Sequence, residues 1–163
     1  MGQKILIAEA HEVLRIGLHS IFAEDRNVTS VCDIEHEKDL PEQILHSKFD
    51  LAIINQELAI DMSLLQKTKF AIIAYEPDVA GLKAAYKYGA CGYFSVNVSA
   101  ELLRTLLRST ENSFLIEPSL TPPIMEHLVS STHLPLEELL VLKREEIICR
   151  SHRGFNKLGV IRK

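Results

Sequence analysis

One polar residue stands where a buried strand is expected to end. Residues Phe49 to Leu58 read FDLAIINQEL, an apolar run that stops at Asn55. Short apolar runs of this kind are typical of buried parallel strands, and open α/β sheets place their chemistry at the carboxyl ends of those strands. An aspartate here would suggest a phosphoacceptor or a metal ligand. Asn55 carries a neutral carboxamide with a delocalised nitrogen lone pair, so we expect no attack on phosphorus.

The rest of the chain has no pattern that predicts catalysis. It contains no Ser-His-Asp arrangement, no glycine-rich phosphate loop and no metal-ligand cluster. The cysteines are odd in number and lack CxxC spacing, which favours buried free thiols over a disulfide framework or a zinc site. They are Cys32, Cys91 and Cys149. The histidines lack ligand spacing; they are His11, His19, His36, His46, His127, His133 and His152. We therefore predict a protein that is not an enzyme and needs no cofactor.

Length and composition favour one globular domain with a short appendage. The chain has 163 residues, of which 47% are hydrophobic and 25% are charged, which is enough apolar material to bury a full core. No apolar run approaches the ~18 residues of a membrane span. The start, MGQKILIAEA, lacks the basic region and apolar stretch of a signal peptide. These features predict a cytoplasmic protein.

The net charge of −4 hides an asymmetry along the chain. From Lys143 onward there are seven basic residues and two acidic ones, a local charge of +5 (7 − 2). A basic end of this kind is a candidate nucleic-acid contact, and a solvated helix end explains the same charge. The residues proposed for such contacts are Lys143, Arg144, Arg150, Arg153 and Lys157.

Apolar runs alternate with helical periodicity through the first 113 residues, which indicates βαβ units and a five-stranded, doubly wound parallel sheet. The predicted strands are Ile5 to Ala8, Val28 to Ile34, Leu51 to Ile54, Ala71 to Ala74 and Cys91 to Val96. The predicted helix faces carry Val13, Ile16, Leu18 and Ile21; then Leu40, Ile44 and Leu45; then Leu64 and Leu65; then Val79, Leu82, Ala85 and Tyr86; and finally Leu102, Leu103, Leu106 and Leu107. Gly89 is a predicted C-terminal cap and Ser99 a predicted N-cap.

Beyond Ser113 the regular alternation of apolar runs and helical periodicity ends. Four prolines break the helical pattern and predict a linker over residues 114–135, with one short helix near Ile124 to Val129. A helical extension over residues 136–163 follows. The predicted organisation is therefore a domain over residues 1–113, the linker and the extension.

The order of these elements, with GLHSIF in the first helix, KYGACGYF at the fifth strand and VSAELL opening the fifth helix, resembles a bacterial response-regulator receiver domain. The resemblance covers residues 4 to about 113 and implies a flavodoxin-like fold. The string LKREEIICRSHRGFNKLG resembles the opening of the LuxR-type helix-turn-helix found in one subfamily. The chain stops at Lys163, within or just after the second helix of that motif, so we expect no complete DNA reader.

The resemblance also implies positions for a phosphorylation site. In receiver domains, an acidic pair after the first strand and an aspartate after the third hold Mg²⁺, and that aspartate accepts the phosphoryl group. A hydroxyl after the fourth strand and a lysine after the fifth bind the phosphoryl oxygens. These positions fall on Glu9 and Ala10, Asn55, Ala74 and Val96. Ala59 stands where the family has a proline, and only Glu9 keeps a suitable group.

This degenerate site predicts neither phosphoryl transfer nor strong Mg²⁺ binding. The family's switch aromatic is present as Tyr93, but Ala74 replaces the hydroxyl that would trigger it. We read Tyr93 as a packed strand aromatic and Asn55 as a structural amide that bonds a loop backbone; a ligand contact of Asn55 is the alternative.

Three functions follow from these observations. The leading hypothesis is an atypical, phosphorylation-independent response regulator acting in signal transduction and transcription regulation, through dimerisation or a protein partner. Its contact surface is expected either between the fourth and fifth helices, Leu82 to Leu107, or between the first and fifth helices. The alternatives are DNA binding through the basic tail and small-molecule sensing in the vacated phosphorylation pocket.

Overall fold

The computed structural model of the chain describes residues 2–58, 61–65, 67–110 and 113–131, and its core is a parallel β-sheet. The strands are β1 (Gln3–Ala8), β2 (Val28–Ile34), β3 (Leu51–Asn55), β4 (Phe70–Ala74), β5 (Gly92–Ser95) and β6 (Leu115–Ile116). Their order across the sheet is β2-β1-β3-β4-β5-β6, with every neighbouring pair parallel. This order brings the ends of β1 and β3 side by side.

The α-helices lie between and after these strands. They are α1 (Glu12–Ala23), α2 (Leu40–His46), α3 (Val79–Lys87), α4 (Ala100–Arg108) and α5 (Thr121–Ser131). A 3₁₀ turn, Met62–Leu65, occupies the connection between β3 and β4, where the sequence predicts a short α-helix. The fourth and fifth predicted helices are therefore α3 and α4. The predicted α/β fold is confirmed, with one strand more than the five expected.

The central strands are buried on both faces. Every residue of β3 and β4 is buried, as expected when helices cover both sides of a parallel sheet. The cluster around Ile53 and Ile73 is closed by Phe22 of α1 and by Leu103 and Leu106 of α4. This core holds the strand ends, and hence the candidate site, in fixed positions.

Several predicted helix-face residues are exposed instead of packed. Val13 and Ile16 of α1 are 87% and 57% exposed, while Leu18 and Phe22 of the same helix are buried. Leu14 and Ile21 pack against the core beside them. Leu18 and Ile21 of the predicted face are therefore packed, while Leu14 and Phe22 take the place of Val13 and Ile16 in the buried stripe. Three further predicted face residues are exposed, namely Leu45 of α2, Leu64 of the 3₁₀ turn and Tyr86 of α3.

Helix ends follow the chemistry of their sequences. The Ser99 hydroxyl accepts a hydrogen bond from the Leu102 amide at the start of α4, as predicted. The Asp78 carboxylate accepts in the same way from the Gly81 amide at the start of α3. Gly89, which follows α3, has a φ of 82°, in the left-handed region that glycine adopts without strain.

The chain divides into two compact units, Met1–Pro122 and Pro123–Lys163. The first contains the sheet with α1 to α4. Of the second, the structure describes only the part of α5 that extends to Ser131. The domain limits predicted at residues 113 and 136 stay predictions.

Candidate functional site

A buried hydrogen bond joins the ends of β1 and β3. The Asn55 amide nitrogen donates to Oε2 of Glu9 over 2.5 Å, and both side chains are almost completely buried. The Asn55 carbonyl oxygen accepts from the backbone amide of Glu57 at 2.8 Å, the kind of contact expected of a structural amide. Both ends of the Asn55 side chain are therefore engaged. An aspartate in its place would face another carboxylate with no donor between them.

The second oxygen of Glu9 is held by the start of α1 and by the loop after β4. Oε1 accepts from the backbone amide of His11 at 2.7 Å, lies 3.2 Å from its Nδ1, and lies 3.4 Å from the hydroxyl of Tyr75. Burial and the nearby Glu9 carboxylate raise the pKa of Tyr75 to about 12. Arg15 donates to the backbone carbonyls of Glu9 and Ala10, which braces the same loop.

The remaining degenerate positions have no polar group to offer. Ala10 is exposed, Ala74 is buried at the end of β4, and Val96 is half-buried just after β5. Beside Ala74 lies a small cavity of about 150 Å³ that is also lined by Gln56, Glu57, Tyr75 and Glu76. Two carboxylates and no cation among these residues make the cavity a poor place for a phosphoryl group. Ala59 lies outside the described residues.

Tyr93 is held inside the fold by contacts with Gln56 and Asp78. Its ring is 1% exposed; its hydroxyl donates to Oε1 of Gln56 at 2.7 Å and accepts from the Asp78 amide at 3.1 Å. Burial raises the pKa of Tyr93, partly offset by the hydrogen bond from Asp78. Because Gly81 lacks a side chain, α3 approaches this pair closely: a Cβ there would lie within 3 Å of both Gln56 and Tyr93.

A second polar contact at the strand ends has no signal in the sequence. Ser95, at the end of β5, donates from its backbone amide and its hydroxyl to Oε2 of Glu117, at 2.9 and 2.7 Å. Burial raises the pKa of Glu117, but hydrogen bonds from Ser95 and Ser119 outweigh it, so the net pKa is lowered. Glu117 directly follows β6, so its carboxylate continues the pairing of β6 with β5. Only the spatial proximity of these distant residues could have revealed it.

The structure describes some of the cysteines, histidines and basic residues singled out in the sequence. Cys32 is half-buried and Cys91 is buried, both as free thiols, and burial raises the pKa of Cys91 to about 11. His11 occupies the N-cap position of α1 but bonds Glu9 rather than capping the helix. Within the described ranges, no group of three or more His, Cys, Asp or Glu residues could hold a metal ion. Cys149, His133, His152 and the proposed nucleic-acid contacts Lys143, Arg144, Arg150, Arg153 and Lys157 lie outside those ranges.

The part of the chain that the structure describes contains no helix with the length and apolar character needed to cross a membrane.

Comparison with known proteins identifies the fold. No family model matches the chain, and no curated protein matches it in sequence. Among solved structures, a LuxR-family two-component response regulator from Aurantimonas sp. SI85-9A1 is similar, with a TM-score of 0.66, 14% identity, and coverage of 79% of this chain and 99% of that one. The signal receiver domain of NarL from Mycobacterium tuberculosis is similar with a TM-score of 0.58 and 16% identity. The match covers 66% of this chain and 94% of that one.

The response regulator RcsB of Salmonella typhimurium, in a structure concerned with its conformational dynamism for DNA interaction, gives a TM-score of 0.66 at 13% identity, covering 99% of this chain and 94% of that one. The chain therefore has the response-regulator receiver fold, as the motifs of its first 113 residues predict.

Proposed function

We propose that this protein is a phosphorylation-independent response regulator, a signalling module that works through contacts with protein rather than through chemistry. The observation that carries the proposal is the buried hydrogen bond from Asn55 to Glu9. It fills the position where the resemblance places the acceptor with a non-nucleophilic amide, and it engages Glu9, the carboxylate left among the positions where the resemblance places Mg²⁺ ligands.

The arrangement around Tyr93 supports the same proposal. In this chain the Tyr93 hydroxyl is held by Gln56 and by the start of α3, so its inward position needs no phosphoryl group. The start of α3 is thereby connected to Gln56, directly after β3, through the hydroxyl of Tyr93, and this connection does not depend on a phosphoryl group. A receiver fold built in this way holds one conformation of its α3 surface, and regulation then acts through partner binding or concentration.

Aromatic residues on α3 support a protein partner at one of the two predicted surfaces. Tyr86 is 67% exposed and packs edge-on against Phe114 at a ring-centroid distance of 5.2 Å. Tyr88 is 39% exposed beside it. Tyrosines are enriched at protein interfaces, and β6 keeps Phe114 in place. We propose this α3 patch, within the predicted Leu82 to Leu107 surface, as the contact for a second copy or another protein.

Two measurements test the proposal. After incubation with acetyl phosphate and Mg²⁺, intact mass spectrometry should show no added phosphoryl group, while a phosphate-accepting receiver domain treated in parallel gains one. A phosphoryl group localised to the receiver fold would overturn the proposal. Sedimentation velocity at rising concentration should show self-association that Tyr86→Ser weakens and Val13→Ser, at an exposed site on α1, leaves unchanged.

A second candidate function is DNA binding through the basic tail, supported by its local charge of +5. Contacts to phosphate would be non-specific and steeply salt-dependent. Retention of DNA across a salt series by the full chain, but not by a version ending at Ser113, would favour this function. Equal DNA retention by the two versions would exclude a role of the tail in DNA binding and would favour the function through protein contacts.

A further inference from the structure

An apolar groove runs along α1 next to the candidate site. It encloses a cavity of about 460 Å³, and its lining is almost wholly apolar. The floor is formed by buried core residues, including Ile73 and Leu103, and the rim by the exposed Val13. Tyr75 lines both this groove and the smaller acidic cavity beside Ala74.

Two ion pairs connect α4 to the residues that follow α1. Arg104, in the middle of α4, pairs with Glu24 at 3.0 Å, and Arg108, its last residue, lies 3.9 Å from Asp25. In the middle of α1, Gly17 lines the groove without a side chain, and a Cβ added there would meet nothing within 4 Å. The gap is an unfilled space rather than a close approach of backbones.

The far wall is formed by Val96 and Val98, in the loop between β5 and α4. Val96 occupies the position where the resemblance places the phosphate-binding lysine. Because Val96 is aliphatic, the side of the groove nearest the candidate site is apolar. A ligand would therefore meet hydrocarbon where a phosphorylated receiver meets a cation.

One end of the groove is polar. The rings of His11 and Tyr75 line it, with centroids 4.7 Å apart. Nδ1 of His11 lies 3.2 Å from Oε1 of Glu9, so Nε2 is the ring nitrogen left for a ligand. The buried Glu9 carboxylate behind these rings opposes an anionic group at this end.

We propose that this groove binds a small, mainly apolar molecule that carries one neutral polar group and no negative charge. The volume lies within the roughly 300–1,000 Å³ of small-molecule sites, the walls match an apolar body, and the His11 end matches the polar group. This inference goes beyond the proposed function because it supplies an input signal, and it fails or stands independently of the phosphorylation test.

Fluorescence titration of the full chain tests the site with a matched pair of probes. N-phenylnaphthylamine has an apolar body and one N–H donor, and anilinonaphthalene sulfonate adds an anionic group to a similar body. The neutral probe should bind saturably, and the sulfonate should bind at least ~10-fold more weakly. Absence of saturable binding by the neutral probe, or equal binding of the sulfonate, overturns the proposal.

A pair of variants locates the binding. Gly17→Leu places a side chain in the open space and should weaken binding of the neutral probe by at least ~10-fold, whereas Gly17→Ala should retain most of the affinity. Circular dichroism of both variants checks the fold. Binding unaffected by Gly17→Leu in a folded protein would overturn the assignment.

A measurement on the unaltered protein covers the case in which Gly17→Leu does not fold. Amide chemical-shift changes on adding N-phenylnaphthylamine should concentrate in Val13 to Ile21 and Val96 to Val98. Changes centred on exposed apolar residues outside the groove, such as Leu45, Leu64 or Tyr86, would place the probe elsewhere and refute the groove.

Discussion

Asn55→Asp is the sharpest test of the buried pair, because it places an aspartate where the resemblance to receiver domains puts the acceptor and changes few atoms. In the structure the Asn55 amide nitrogen lies 2.5 Å from Oε2 of Glu9. The substitution replaces a donor with a second carboxylate oxygen at that distance. The contact from the Glu57 amide can persist, since aspartate still accepts it. The change therefore isolates the contact with Glu9.

The cost of this substitution is limited by proton uptake. Two unit charges 4 Å apart repel by about 4 kcal/mol at an effective dielectric constant of about 20, and by more at shorter range. A proton shared by the two carboxyl groups removes the repulsion and restores a donor. Taking that proton from solution at pH 7, against an ordinary aspartate pKa of about 3.9, costs about 4 kcal/mol. We expect Asn55→Asp to lower the free energy of unfolding by about this amount.

The pH dependence distinguishes this mechanism from a simple packing defect. The folded variant binds one more proton than the unfolded chain above pH ~4, so its stability relative to the parent should fall by about 1.4 kcal/mol for each unit rise in pH. Urea denaturation at three pH values would measure the loss, which should shrink to about 1.5 kcal/mol at pH 5.

Asn55→Ala is the control, because it removes the donor without adding charge and should cost about 1.5–3 kcal/mol at every pH. If the aspartate variant showed the same pH-independent loss as the alanine variant, Glu9 and Asn55 would not be apposed as described.

Three further predictions use the same approach. Because the pKa of Tyr75 is raised to about 12, spectrophotometric titration should show a late component that loses the amplitude of one tyrosine in Tyr75→Phe, while Tyr93 still titrates late. The stability that the fold gains from a protonated Tyr75 should be lost as pH rises from about 10 through 12. An unchanged late amplitude in the variant would contradict the prediction. Glu117→Ala should lower the free energy of unfolding by about 1–2 kcal/mol and speed amide exchange at Ser95, whereas Glu117→Gln keeps an acceptor and should cost less. Because the pKa of Glu117 is lowered in the folded protein, its contribution to stability is present above its ordinary pKa and is lost as pH falls through the folded value. Gly89→Ala should cost about 1–2 kcal/mol from its positive φ alone, while Gly17→Ala in the open part of α1 should stabilise by about 0.5–1 kcal/mol; equal effects at the two glycines in urea denaturation would refute this.

The sheet was predictable because each strand carries its own signal. Five apolar runs separated by helical periods leave little choice but a parallel α/β sheet. β6 has no such signal: Leu115–Ile116 is two residues long and lies in a proline-containing stretch, and it becomes a strand only because the edge of β5 is available. The helix between β3 and β4 was overpredicted because Leu64 and Leu65 alone cannot distinguish an α-helix from a 3₁₀ turn.

Helix faces were predicted less well than helix positions. In α1, Val13 and Ile16 lie on one side of the helix and Leu14, Leu18 and Ile21 on another, and all five are apolar. Periodicity cannot decide which of two adjacent stripes is buried when both are apolar. The groove is lined by Leu14, Leu18 and Ile21 of the packed stripe and by Val13 of the exposed pair, so the two stripes meet at its rim.

The candidate site was foreseeable in its losses but not in the contacts that replace them. Position matching shows that Asn55, Ala74 and Val96 lack the groups for phosphoryl transfer, but only the structure shows Asn55 donating to Glu9 and Tyr93 bonded to Gln56. These contacts explain why the losses are compatible with a stable fold. Once the acceptor is an amide, the repulsion between carboxylates that a metal and a lysine would balance is replaced by a hydrogen bond. An aliphatic Val96 then carries no electrostatic cost, and it leaves beside the site an apolar wall that a neutral ligand can use.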